Sequence, residues 1–115
     1  MYYRILETDE MIGDLSHISF AAYDYTRDRE SGIKFLELYD LTIANLAIFP
    51  TGYSGVSMEY RGYEIHILPF GNYNMFFILD ETKGIIVMLR CLYQKQDWQR
   101  ILQIENKYHY QGKKF

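Results

Sequence analysis

A glutamate and a histidine stand two residues apart in Glu64-Ile65-His66-Ile67, a run in which polar and apolar residues alternate. Alternation of this kind predicts a strand with one buried face. It places both polar side chains on the same face, roughly 6–7 Å apart at the ordinary strand rise. A carboxylate and an imidazole at that distance are a candidate acid/base pair, and the imidazole titrates near neutrality. The pair is a poor cradle for phosphate, because one member is an anion. The plainer reading of His66 is a polar residue on an open sheet face or one hydrogen-bonded locally. Arg90 lies in the apolar run Leu89-Arg90-Cys91-Leu92, so it must meet polar surroundings or pair with an acid. It is a good candidate phosphate anchor. Tyr93 offers a hydroxyl acid or a stacking platform, although it is one of 12 tyrosines. Arg61, beside Gly62, is a candidate binding cation, the plainer reading being a solvated loop arginine. His17, His66 and His109 share no metal-ligand spacing, and Cys91 reads as a small core residue. Neither a glycine-rich phosphate loop nor a Ser/His/Asp set is visible, so no metal and no cofactor is expected.

These residues need elements to position them. Tyr2 to Glu7 reads as a strand. Thr8 then supplies an N-cap ahead of an acidic first turn, Asp9 and Glu10. Met11, Leu15, Ile18, Ala22 and Tyr25 recur at spacings of three and four, the stripe of an amphipathic helix. Arg27-Asp28-Arg29 forms a polar turn. After a second cap at Ser31, Phe35, Tyr39, Leu46 and Phe49 begin a new stripe that Leu36, Ile43 and Ala47 widen. A helix buried over much of its circumference is predicted there, stopped by Pro50. Phe20, Tyr23 and Leu41 fall outside the buried stripes and predict a partner surface.

Thr51 to Ser57 holds two glycines and reads as a loop. Strands follow at 64–67, 73–79 and 85–93, with turns at Pro69 to Asn72 and Asp80 to Gly84. A short helix from Gln96 to Ile104 can dock Trp98, Ile101 and Leu102 on the sheet. The order β-α-α-β-β-β-α predicts an α+β domain: a helical hairpin packed on one face of a mainly antiparallel four-stranded sheet. The other face is expected to be concave and more polar. The domain is read as residues 1–104, followed by a basic tail, 105–115.

The 115 residues are 49% hydrophobic and 23% charged, which excludes a disordered chain and suits one small domain. A single cysteine excludes an internal disulfide. No apolar run reaches the ~20 residues of a membrane helix, and the opening residues lack the regions of a signal peptide, so a cytoplasmic setting is expected. Charge is uneven: residues 1–93 carry a net of −6 and residues 94–115 a net of +3. The basic segment is either a solvated terminus or an arm, with Lys95 and Arg100 among its candidate contacts to an acidic partner.

Phe49-Pro50, Tyr60-Arg61-Gly62, Leu68-Pro69-Phe70-Gly71-Asn72-Tyr73 and Leu89-Arg90-Cys91-Leu92-Tyr93, followed by Asp97-Trp98, resemble blocks of the RelE/ParE toxin superfamily in order and spacing. The likeness spans roughly residues 1–104. It implies the toxin of a type II toxin–antitoxin module, of the kind also called a plasmid stabilisation protein, held silent by a cognate antitoxin, as a homodimer or a heterotetramer with it. Two activities occur on that fold. ParE-like members inhibit DNA gyrase by binding; RelE-like members enter the ribosome and cleave mRNA.

Cleavage by a 2′-hydroxyl requires a base, an acid and cations on the phosphate. Where RelE-like members place Lys, Arg and Tyr, the resemblance aligns Glu64, His66, Asn74 and Gln96. The expected activity is therefore ParE-like target binding. The alternative is a ribosome-dependent endoribonuclease using His66, Arg90 and Tyr93 with Glu64 beside them. A third is an inactive or repurposed member that binds an antitoxin and little else. The ending Lys107-Tyr108-His109-Tyr110 resembles the end of some nuclease toxins, but a helix separates it from the last strand, and it is read as coincidence.

Overall fold

In the computed structural model, which describes residues 2–26, 29–105 and 107–114 and only the backbone of 23–26, the chain turns from strand to helix at Thr8. β1 (Arg4–Glu7) ends there and α1 (Asp9–Thr26) begins. The buried Thr8 hydroxyl donates to the Leu89 carbonyl at 2.8 Å and accepts the Met11 N–H at 3.0 Å. One side chain thus caps the helix and ties it to a strand distant in sequence. Arg27 and Asp28 of the expected polar turn lie outside the described residues, as do the side chains of Tyr23 and Tyr25.

α2 (Arg29–Ile48) begins ahead of Ser31 and ends just before Pro50. Gly32 lets the two helices meet: a Cβ there would stand 2.8 Å from the Ser19 carbonyl oxygen. α2 buries less of itself than its composition predicts. Gly32, Tyr39, Leu46 and Ala47 are buried, but Leu36 is open and Phe49, beyond the last turn, is 66% exposed. The helix rests on one layer of sheet, which can cover only one side of a cylinder.

The remaining elements are β2 (Gly55–Tyr60), β3 (Tyr63–Phe70), β4 (Tyr73–Asp80), β5 (Ile85–Tyr93), α3 (Trp98–Ile104), β6 (His109–Tyr110) and β7 (Lys113–Lys114). The main sheet has the order β1-β5-β4-β3-β2. β1 runs parallel to β5 and every other pair is antiparallel. The α+β class and the helical hairpin on one face are as expected, but the sheet has five strands, not four. The added strand is β2, at the edge, where glycines point to a loop. It pairs with β3 irregularly, at Gly55, Glu59 and Tyr60, with a bulge between Gly55 and Glu59 and Ser57 at φ 61°. Gly55 supplies room rather than a turn, because the Glu64 carboxylate occupies the space of its absent Cβ.

Met11, Leu15 and Ile18 of α1, with Tyr39 and Leu46 of α2, pack against one face of the sheet at Leu68, Met75, Phe77, Ile86 and Met88. The opposite face is not polar, contrary to expectation. Tyr60, Ile65, Phe76, Val87 and Leu89 make a second apolar core there, closed by Leu102 and Tyr108. Trp98 lies on Phe76 with ring centroids 5.1 Å apart. Both faces of β4 are covered, which accounts for its nearly unbroken apolar sequence.

The tail expected from 105 onward belongs to this second layer. Tyr108 is fully buried against Tyr60. The β6–β7 hairpin is held at the start of α1: Asp9 accepts the Gln111 and Gly112 N–H groups, each at 2.9 Å, and Glu10 accepts that of His109 at 2.6 Å.

Candidate functional site

Glu64 and His66 follow one another on the helix-hairpin face of β3, near the sheet edge. His66 is partly buried, its ring stacked on Phe77 at 5.4 Å, and Nδ1 stands 3.1 Å from the Tyr53 carbonyl oxygen. A carbonyl only accepts, so Nδ1 donates this bond, and Nε2 makes no hydrogen bond among the described residues. Glu64 is exposed, its carboxylate lying over Gly55. The two side chains share a face, as alternation requires, and no cation is hydrogen-bonded or ion-paired to either among the described residues.

Arg90 stands elsewhere. It pairs in register with Phe76, a residue of the second face, whereas His66 pairs with Phe77 on the first. Its guanidinium makes a two-pronged ion pair with Asp14, Nε to Oδ2 at 2.7 Å and an Nη to Oδ1 at 2.8 Å. A further Nη donates to Glu105. Asp14 also accepts the Cys91 N–H at 2.9 Å. This satisfies the β5 backbone beyond the point where β1 ends, as Thr8 does at the Leu89 carbonyl.

Burial works to lower the Arg90 pKa, but the hydrogen bonds and charges of Asp14 and Glu105 outweigh it and hold the group firmly cationic. A cation already facing two carboxylates offers little net field to a phosphate. Cys91 next to it is buried, and burial pushes its thiol up to about 12, so it is inert at neutral pH.

Tyr93 borders an open cleft of about 1040 Å³ between α1 and the end of β5, with Asp14, His17, Tyr73, Arg90 and Gln96 also on its walls. Its ring tilts against that of Tyr73 at 5.8 Å. Tyr93 pairs with Tyr73, four positions along β4 from Phe77, the partner of His66. Tyr93 and His66 are therefore roughly 15 Å apart at standard strand rise and spacing. Of the residues aligned with RelE-like cations, Asn74 is buried in β4, and the Gln96 side chain accepts the Tyr93 N–H at 2.9 Å.

The structure thus brings Glu64 to His66 and sets Arg90 and Tyr93 apart from them. It does not gather the candidate binding cations either. Arg61 is at the β2–β3 turn, at one end of the sheet, with φ 54°, whereas Lys95 follows β5 at the other end. Arg100 is exposed on α3, where its N–H is accepted by the Asp97 cap at 3.3 Å. Among the described residues no group of three or more His, Cys, Asp or Glu side chains is placed to hold a metal ion, and no helix is long and apolar enough to cross a membrane.

The broadest apolar surface is on the helical hairpin. A groove of about 680 Å³ runs between α1 and α2, walled by Ile12, Leu15, Phe20, Ile33 and Leu36, with Ser16, Ser19 and Gly32 among its other lining residues. Phe20 is 65% exposed and Leu41 70%. These are two of the three residues that the sequence places outside the buried stripes, and Ile12, Ile33, Leu36, Leu38 and Ile48 are exposed on the same helices. Ile12, Ile33, Leu38 and Ile48 gave no sequence signal because they sit beside helical stripes that do face the core, and Leu36, read as part of such a stripe, is open instead. Acidic groups, Glu7 and Asp40, border the groove, as does Arg29, and Tyr39 donates from its hydroxyl to Glu7. No protein-family model matches the chain, and no curated protein matches it either.

Proposed function

We propose that this chain is the toxin of a type II toxin–antitoxin pair that acts, in the ParE manner, by binding a protein target, with DNA gyrase the leading candidate. A cognate antitoxin silences it by laying an apolar segment along the α1–α2 groove. The sequence blocks and the order strand, helical hairpin, antiparallel strands, short helix support the superfamily reading. We read β2 as an edge strand added to the RelE/ParE-like sheet.

One observation carries the choice of binding over cleavage: the guanidinium of Arg90, the strongest phosphate anchor in the sequence, is engaged by Asp14 and Glu105. A phosphodiester cleavage centre must neutralise charge that develops in the transition state, and each well-placed donor is worth about 3–4 kcal/mol. Here the candidate base, His66, has a carboxylate beside it in place of a cation. The large exposed apolar surface suits a chain that binds proteins.

The test is gyrase supercoiling of relaxed plasmid with increasing purified chain. Inhibition that Phe20→Glu or Leu41→Glu leaves intact and antitoxin abolishes supports the reading. Unchanged supercoiling at a large molar excess contradicts gyrase as the target. The cleavage reading keeps one favourable feature, the free Nε2 of His66.

A further inference from the structure

The α1–α2 groove is apolar along its length and charged at its ends, and the two ends differ in sign. Ser19 stands against Gly32, and Glu7, just ahead of α1, accepts the Tyr39 hydroxyl, so the two helices run in opposite directions. Arg29 therefore marks one end of the groove, beside Phe20, and Glu7 and Asp40 mark the other, beside Ile12. Burial first, then Glu7, with smaller contributions from Cys91 and Asp40, holds the Tyr39 hydroxyl well above its ordinary pKa, which sets both groove carboxylates near one atom. Among the described residues none of the three charged groups forms an ion pair. Arg29 and Asp40 are eleven residues apart on α2, about 16 Å of helix.

We infer that the segment seated here is an amphipathic helix of about three turns, with a lysine or arginine at one end of its apolar stripe and an aspartate or glutamate at the other. On the function proposed above that segment is the antitoxin's, and the inference rests on that reading of the groove. Backbone groups select a helix. Both walls are helices, whose N–H and C=O groups are paired internally, so the groove has no ladder for an extended segment to join. A strand laid in it would bury unpaired groups. A helix satisfies its own, and sets apolar side chains at spacings of three and four against Phe20, Ile33 and Leu36.

Charge selects what stands at the ends. Covering the groove takes water from Glu7, Asp40 and Arg29, and a charge left unmatched there is costly. A base meets Glu7 and Asp40; an acid meets Arg29. Residues eleven apart return to the same side of a helix after three turns, so both charges flank one apolar stripe. A segment carrying them in the reverse order fits by turning round. The groove thus specifies opposite charges three turns apart and rejects like ones.

Selection from a displayed library of helical peptides on the full chain tests this. Each peptide has a fixed apolar stripe and two positions, eleven residues apart, randomised among Lys, Glu and Gln. Peptides with Lys at one position and Glu at the other are expected to exceed either like-charged pair by about tenfold. With Glu7→Gln and Asp40→Lys together, both ends of the groove are cationic, and the preference should pass to Glu at both positions. Retained peptides without a charge pattern, or a preference that this double variant does not move, overturn the inference and leave the groove as a seat. Peptides held equally by Leu36→Glu, whose groove is blocked, or no peptide retained at all, contradict the groove reading and the inference with it.

Discussion

Replacing Arg90 by methionine leaves Asp14 and Glu105 facing each other across the space the guanidinium fills. Both carboxylates are largely shielded from water, Asp14 having a side-chain exposure of 15%. Removing one member of such a group strands the others, a loss of about 3–5 kcal/mol when the site is buried. Water reaches Glu105 more readily, at 30%, so a value near the lower end is expected. Chemical denaturation of the purified variant measures it. The double variant Arg90→Met with Asp14→Leu should recover only part of the loss, because Glu105 still lacks its partner and the Cys91 N–H loses its acceptor. The sequence showed that Arg90 must meet polar surroundings or an acid, since an arginine inside an apolar strand has no other stable environment. It did not show which acid. Asp14 is 76 residues away and sits between Met11 and Leu15 of the core stripe, and Glu105 lies beyond the last helix. Pairing at such sequence distance is set by tertiary placement and leaves no local pattern. The same limit applies to His66, whose face was legible from alternation but whose contact with Tyr53 was not.

Elements were legible where one periodicity dominated and obscure where glycine or exposure weakened it. α1 and β5 follow from their stripes, and the cap at Thr8 follows from residue type. β2 was hidden because an irregular edge strand pairs on one side only and tolerates Gly55, Ser57 and a bulge. The C-terminal hairpin was hidden because its anchors, Asp9 and Glu10, read equally well as an acidic first turn of α1. Gly32 is the element-scale position with the clearest consequence. Gly32→Ala would gain helix propensity of about 1 kcal/mol in an open helix. Here the new methyl meets the Ser19 backbone, so α1 and α2 must separate, at a cost of about 1–3 kcal/mol for overpacking. The expected outcome is net destabilisation and, on the function proposed above, weaker affinity for an antitoxin, because the groove walls move. Thermal melting and titration calorimetry measure the two effects. A more stable variant would show that the helices are not held at this separation.

For the molecule as a whole, one carboxyl with a shifted pKa makes stability respond to acid. Asp80, in the β4–β5 turn, accepts the Tyr63 hydroxyl at 2.6 Å and the Lys83 N–H at 2.9 Å. The Tyr63 bond first, then the backbone bonds, hold its carboxyl below the usual range. A carboxyl whose pKa is depressed by folding contributes stability above its unfolded value, near about 4. That contribution is lost as pH falls through the lower folded value. Tyr63→Phe removes the largest cause, so its thermal midpoint should lie under that of the parent at neutral pH and converge on it as pH falls through the folded value. A constant difference between the two across that range would show that the bond contributes no proton linkage.

The fold class was readable from the switch of periodicity at Pro50. The covered second face was not, because α3 and Tyr108, which close it, lie in short segments that contribute few residues each. On the function proposed above, this molecule acts by seating a protein and holds no phosphate-cleaving centre. Mapping the 5′ ends of translated mRNA after induction of the intact chain is the sharpest test of that proposal. Growth arrest with 5′ ends matching those of the uninduced culture is expected. New ends in register with codons, lost in His66→Ala, would contradict it.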